Sequence, residues 1–303
     1  MRPVRRSLAA ADTVRIDPPF RRILIIGVGL IGGSLARAIR RAGHRIEIVG
    51  YGRNHLNLQR AVELGVIDRF VTALPVAVAE ADLIVVAAPV GSTATILRAI
   101  RPHLAPDAVI TDVGSTKGSV AIAARETLGG ALSAFVPGHP IAGNERGGVE
   151  ASSASLFDRR MVVLTPLTET EQGALARVRA LWESVGARVV EMDVEYHDRL
   201  LAATSHLPHV LAYALVEALT RMDGGEEIFR YAAGGFRDFT RIASSDPVMW
   251  RDICLANAGH LRESISAFRA CLDELDGMIR DGEGDKLVEL FSRAKAVRDR
   301  NVK

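Results

Sequence analysis

Through the first two thirds of the chain, apolar residues come in short continuous runs closed by glycines or polar clusters. The first is Ile23-Leu24-Ile25-Ile26, followed by a glycine-rich turn. An unbroken run of this kind is how a strand buried on both faces reads. The same pattern predicts strands at Ile46–Val49, Leu83–Ala87, Ala108–Thr111, Ala134–Val136, Met161–Leu164 and Arg188–Val190. Between most of them, apolar positions recur at helical spacing: Ile31–Ala42 with Gly43 as a stop, Leu56–Leu64, Ser92–Leu104, Lys117–Thr127 and Glu169–Val185. Strand and helix alternating from the start predict an α/β class, a doubly wound Rossmann-type and mostly parallel sheet with helices on both faces.

The pattern changes after Asp193. Residues 195–222, 226–233, 247–280 and 284–300 read as helical, broken by Gly224-Gly225, Gly234-Gly235 and Gly282. The expected organisation is therefore a loose tail over residues 1–20 ended by Pro18-Pro19, a dinucleotide-binding domain over 21–193, and an all-α dimerisation and substrate domain over 194–303. Leu200, Leu207, Leu211, Leu215 and Leu219 give the first long helix of that second domain a wide apolar face. One small helical domain covers so much apolar surface poorly by itself, which predicts a homodimer.

Composition agrees with this layout. A chain of 303 residues suggests two domains, and 48% hydrophobic residues can fill both cores. A net charge of +2 carries no electrostatic footprint for nucleic acid or a membrane surface. No apolar run reaches the roughly 20 residues of a membrane span. Met1 to Arg6 is basic, but no apolar core follows it as in a secretory leader. Cys254 and Cys271 form no spacing motif and fit a reducing compartment. A cytoplasmic location is expected.

Gly27-Val28-Gly29-Leu30-Ile31-Gly32 fits G-x-G-x-x-G between a buried strand and a helix, the context that makes this motif informative. Gly27 permits the tight turn, Gly29 permits close approach of a pyrophosphate, and Gly32 permits close helix–strand packing. Leu30 and Ile31 fall in the first helical turn, whose unpaired N–H groups face an anion. An NAD site usually places an acid at the end of the second strand. Here that stretch reads Val49-Gly50-Tyr51-Gly52-Arg53-Asn54, with Glu47 mid-strand as the nearest carboxylate. Loss of the acid removes repulsion against a 2′-phosphate and Arg53 is suited to pair with one, so the reading leans to NADP over NAD.

Three segments carry candidate chemistry: Asp112-Val113-Gly114-Ser115-Thr116-Lys117-Gly118, Gly138-His139-Pro140-Ile141-Ala142-Gly143-Asn144-Glu145, and the stretch from Gly234 to Asp252. The first two follow strands, at the ligand edge of a doubly wound sheet. A histidine between glycine and proline, His139, is aimed instead of packed, and neutral imidazole suits proton removal from a carbinol. Ser115 reads equally as a group bridging substrate and nicotinamide ribose and as part of a helix cap. Arg237 and Arg241 share a face if helical and suit a dicarboxylate, although solvated arginines are the common case. His206-Leu207-Pro208-His209 lacks the further ligands of a metal site. Pro208 predicts a kink that turns His209 toward a pocket, with a buried structural histidine as the alternative. Trp250 reads as core more readily than as a ligand wall.

Taken together, G-H-P-I-A-G with Glu145 after it, S-H-L-P-H, D-F-T-R-I-A and S-D-P-V-M-W-R-D resemble the prephenate/arogenate dehydrogenase family from about Arg22 to about Asp299. The resemblance implies oxidative decarboxylation of prephenate, or of its amino analogue arogenate, on the route to tyrosine. It implies that His139 accepts the hydrogen bond of the substrate C4 hydroxyl and Ser115 orients that hydroxyl and the nicotinamide. It also implies that Arg241 binds a carboxylate, while His209, Glu145, Arg237 and Trp250 line or gate the pocket. Arg237 favours the keto acid over an ammonium, hence prephenate. With no appended regulatory domain expected after the helical one, any tyrosine inhibition is expected to act at the active site. Two other readings stay open. A β-hydroxyacid dehydrogenase would need a catalytic lysine, but Lys286, Lys295 and Lys303 all lie in the last helix. A dinucleotide-binding sensor would need neither an aimed histidine nor a carboxylate clamp.

Overall fold

The computed structural model describes residues 19–301, so most of the expected tail, and Lys303, lie outside the described residues. The chain divides into two compact units. One comprises the described residues up to His197 together with Ser244–Ala256; the other comprises Asp198–Ala243 and the described residues from Asn257 onward. A cut at one point along the chain does not anticipate the membership of Ser244–Ala256 in the first unit.

The first unit is built as β1 (Arg22–Ile26), α1 (Leu30–Arg41), β2 (Glu47–Tyr51), α2 (His55–Glu63), β3 (Arg69–Phe70), α3 (Leu74–Ala79), β4 (Leu83–Val86), α4 (Thr93–Ile100), β5 (Val109–Asp112), α5 (Gly118–Leu128), β6 (Phe135–Val136), β7 (Gly138–Pro140), β8 (Met161–Leu164), α6 (Gln172–Ser184) and β9 (Arg188–Glu191). Six strands form one parallel sheet in the order β3-β2-β1-β4-β5-β6. Alternate residues of each strand face opposite sides of the sheet. Ile23, Ile25, Leu83 and Val85 accordingly pack in a core with Leu35, Ile39, Val178 and Trp182, under α1 and α6. Leu24, Ile26, Ile84 and Val86 pack in another with Leu97, Ile100, Val120 and Leu128, under α4 and α5. Unbroken apolar runs are therefore required by two covered faces.

The expected strands at 161–164 and 188–190 do not extend the main sheet. They form a second sheet, β7-β8-β9, in which β7 runs antiparallel to β8 and β8 parallel to β9. Pro137 follows β6 and has no N–H with which to continue the ladder; its carbonyl accepts from Thr165 N instead, at 2.9 Å. The expected helix 92–104 is shorter: α4 is flanked by 3₁₀ turns at Val90–Ser92 and Arg101–His103.

After α7 (Val194–Leu201) the chain is helical: α8 (Leu207–Thr220), α9 (Gly225–Ile228), α10 (Gly234–Thr240), α11 (Pro247–Ala256), α12 (Ala258–Arg280) and α13 (Gly284–Asn301). The expected helix 247–280 is broken at Asn257. The Asn257 amide donates to the Asp198 carbonyl at 2.7 Å and lies 3.1 Å from His206 Nδ1, tertiary bonds that hold it as the N-cap of α12. In the second unit α8 packs against α10 and α12, and α12 against α13. Among the described residues, no helix is long and apolar enough to cross a membrane. Cys254 and Cys271 are free thiols.

Candidate functional site

A cleft of about 1270 Å³ opens at the carboxyl ends of β1, β2 and β4, bordered by Gly27, Gly29, Arg53, Pro89, Ser92 and Gly148. Its floor is the glycine-rich turn. Gly27 has φ +101°, and a Cβ there would sit 2.4 Å from the Ala87 carbonyl oxygen. A Cβ on Gly32 would sit 2.4 Å from the Gly27 oxygen, so both positions exclude any larger residue. At Gly29 nothing lies within 4 Å, and the backbone stays open to an incoming group. Gly29 is the N-cap of α1, with no capping side chain and no acid in the first turn, leaving the N–H groups of Leu30 and Ile31 as donors. An uncapped helix start beneath an open cleft fits the pyrophosphate of a dinucleotide. At the end of β2, Arg53 is exposed on the rim. Glu47 opens that strand, where it pairs with Arg22 at 2.6 Å and Arg69 at 2.9 Å. The Arg69 hydrogen bond, more than any other contact, holds this carboxyl below its ordinary range.

Beside the cleft a buried ion pair organises two of the candidate residues. Asp112, the last residue of β5, accepts from Gly114 N at 2.8 Å and from Gly138 N at 3.1 Å, and it pairs with the Lys117 ammonium. Lys117 is fully buried and also donates to the Gly138 carbonyl at 2.7 Å. These bonds tie the turn carrying Ser115 to the strand carrying His139. Ser115 is half-buried. Lys117, not Ser115, occupies the N-cap position of α5, which has no side-chain cap, so the capping role for Ser115 is not realised. His139 is not on a surface loop. It lies on β7 opposite Val163, with 9% of its surface exposed. Its Nδ1 is 2.9 Å from Nε2 of His197, a fully buried residue of α7, and the rings meet edge to face. In the tautomer whose Nδ1–H donates this bond to His197, Nε2 is the nitrogen that can accept a proton from a ligand.

Glu145 is half-buried in the loop joining β7 to β8, and Trp250 on α11 is 7% exposed, as a core residue is. α11 also rests on the 3₁₀ turn at Val90–Ser92, where a Cβ on Gly91 would sit 2.9 Å from the Asp252 carboxylate. In the second unit the expected kink takes a definite form. Ala202–His206 is a turn of π-helix, and Pro208 follows it in the first turn of α8, where its missing N–H costs no helical bond. The His209 Nδ1 then donates to the Ser205 carbonyl at 2.9 Å, which leaves Nε2 as the acceptor. Burial pushes His209 below the ordinary histidine value, and the charge of Arg241 pushes the same way. Arg241 is thus within electrostatic reach of His209. Arg237 is in the last turn of α10 and Arg241 opens a 3₁₀ turn, so the regular helix relating them ends between the two. Both are exposed in this unit.

Residues 35–191 match the nucleotide-binding domain of prephenate dehydrogenase, and residues 193–293 match the prephenate dehydrogenase dimerization domain. The chain belongs to the prephenate dehydrogenase family. A cyclohexadienyl dehydrogenase of Zymomonas mobilis is 38% identical over 92% of this chain and 95% of its own. A prephenate dehydrogenase of Bacillus subtilis is 36% identical over 91% of this chain and 75% of its own. Among solved structures, Aquifex aeolicus prephenate dehydrogenase in complex with hydroxyphenyl propionate and NAD+ superposes with a TM-score of 0.87 and 40% identity, covering 92% of this chain and 98% of that one.

Within this prephenate dehydrogenase fold, the Asp112–Lys117 network ties the turn that carries Ser115 to the strand that carries His139, and His209 and Arg241 share one neighbourhood. Three residues of the site escaped sequence reasoning. Lys117 read as the start of a helix, because a lysine six residues past a strand end is normally solvated. His197 sits in an ordinary amphipathic helix, with no glycine or proline beside it. Asn57 read as one polar position of α2. Only the Asp112…Lys117 spacing held a usable signal, a charge pair bracketing a Gly-Ser-Thr turn.

Proposed function

We propose that this chain catalyses the oxidative decarboxylation of prephenate to 4-hydroxyphenylpyruvate with a nicotinamide dinucleotide, on the route to tyrosine. The observation that carries this reading is His139: a buried imidazole, tied through Nδ1 to His197, on a strand anchored to the Ser115 turn by the Asp112–Lys117 pair. When bound, the dinucleotide supplies the hydride acceptor. The chain's own residues do the rest. The Gly27–Gly32 turn and the start of α1 hold the pyrophosphate. Ser115 orients the substrate's C4 hydroxyl. His139 Nε2 accepts the hydrogen bond of that hydroxyl, takes up the proton as the C4 hydride leaves, and returns it to the phenolate oxygen once CO2 has departed from the opposite ring carbon. Arg241 binds a substrate carboxylate, and Arg237, His209, Glu145 and Trp250 line or gate the pocket. The protein's contribution is positioning and one neutral base.

The preferred cofactor in this reading is NADP. It is supported by the engagement of Glu47 away from the cleft and by Arg53 at its rim. Prephenate is preferred over arogenate because guanidinium groups repel an ammonium. The working form is a homodimer through the helical domain. Mixing the protein with prephenate or arogenate and with NADP or NAD, while following nicotinamide absorbance, tests the activity and both preferences. Reduction is expected, fastest with prephenate and NADP. No reduction in any of the four mixtures overturns the function, and faster turnover with NAD or with arogenate overturns that preference alone.

A further inference from the structure

The loop that follows His139 is attached to the dinucleotide turn and its helix, and one side chain makes the attachment nearest the cleft. Asn57, in the first turn of α2, donates from Nδ2 to the Val28 carbonyl at 2.7 Å. Its Oδ1 accepts from Val149 N at 3.2 Å. Val28 is the second residue of the glycine-rich turn, and Val149 lies in the loop between β7 and β8, four residues after Glu145. Farther along, the same loop runs on to α1: Ser152 accepts from Arg37 Nε at 2.8 Å, and Ser34 accepts from Ser153 N at 2.9 Å. Asn57 and Gly148 both border the cleft.

A carboxamide presents a donor and an acceptor from one short side chain, and both are used here. Carbonyl and N–H of one planar trans peptide point in opposite directions. Holding the Val28 carbonyl on Asn57 therefore fixes the direction of the Gly29 N–H, where the backbone is otherwise open. The other end of the same amide fixes the loop that leaves His139. A dinucleotide that settles the turn thus settles the loop through a single rigid group, and a ligand that settles the loop does the same for the turn.

We propose that Asn57 is a positioning residue that couples the two binding events, so that dinucleotide and aromatic acid each tighten the other's binding. This rests on the function proposed above, and linkage requires the effect to be equal in both directions. The test is the dinucleotide Kd measured by calorimetry with and without saturating 4-hydroxyphenylpropionate, a non-reacting aromatic acid. In the unaltered protein the acid is expected to tighten dinucleotide binding by a factor of about 5–150, the usual range of such coupling. Asn57→Ala removes both arms and should bring that factor close to one. Asn57→Asp keeps the acceptor for Val149 N, cannot donate to Val28, and should do the same; being nearly isosteric, it carries the test if the alanine variant does not fold. Asn54→Ala, which removes only the cap that Asn54 supplies to Asn57 N, should keep the original factor. A factor of one in the unaltered protein, or an undiminished factor in both Asn57 variants, overturns the proposal. Turnover of prephenate is measured separately, so a failure of the activity is distinguishable from a failure of the coupling.

Discussion

The two units solve the burial problem differently. In the first, β1, β4 and β5 are buried at every position except the partly exposed Arg22, because crossover helices of the same chain cover both faces of the sheet. In the second, the 14 residues of α8 bury only Ala212, the 23 residues of α12 bury only Leu261, and α13 buries none. Ile279, Val288 and Phe291 are 66%, 64% and 56% exposed. The first unit finishes its core alone, and it is there that buried bonds fix His139 and the turn that carries Ser115. The second presents apolar helix faces that call for another surface, which is why a second copy of the chain belongs to the proposed function. Chemical precision sits in the unit that is self-sufficient, and assembly in the one that is not.

The largest effect expected from this contrast is at His139. His139→Asn should lower kcat by about 10²–10⁴-fold, the usual weight of a general base, while dinucleotide binding measured by fluorescence stays unchanged. Near-normal turnover would move the chemistry elsewhere. Next comes Lys117→Met, which leaves Asp112 buried without its partner. Removing one partner of a buried pair costs about 3–5 kcal/mol, and urea unfolding should show that loss in the first unit. Adding Asp112→Asn should restore part of it; no loss in the single variant would mean that the pair anchors nothing.

The second unit supplies the smaller effects. Val288→Glu with Phe291→Glu should lower the sedimenting mass from two copies to one and leave dinucleotide binding intact. Each buried apolar side chain of this size contributes about 1.5–3 kcal/mol, so an unchanged mass would show that this face is not covered by a second copy. The smallest concerns pH. Burial, reinforced by Arg241, sets His209 below the ordinary value of 6.5, so the folded unit resists protonation that the unfolded chain accepts. The stability is intact above 6.5 and declines as pH falls from there through the folded-state value. His209→Asn should flatten that part of the acid unfolding profile, and a profile identical to that of the unaltered chain would show that His209 does not contribute.

Much of this protein follows from local order in the chain. Runs such as Ile23–Ile26 and Leu83–Val86 declare strands buried on both sides, since only a doubly covered sheet tolerates them. The glycines at 27, 29 and 32 declare a dinucleotide turn, and Gly138-His139-Pro140 marks a histidine at a strand end as a candidate. All of these are properties of neighbours along the backbone, where periodicity and steric limits act directly. The tertiary structure decided the rest. It placed β7, β8 and β9 in a sheet of their own, buried the charge of Lys117 against Asp112, and set His197 behind His139. It also returned Ser244–Ala256 to the first unit and stretched one amide between Val28 and Val149. Apart from the Asp112–Lys117 pair, these depend on partners far apart in the chain, 58 positions for His139 and His197 and 92 for Asn57 and Val149, and no local pattern encodes which distant residue a side chain will meet until the core has closed around it.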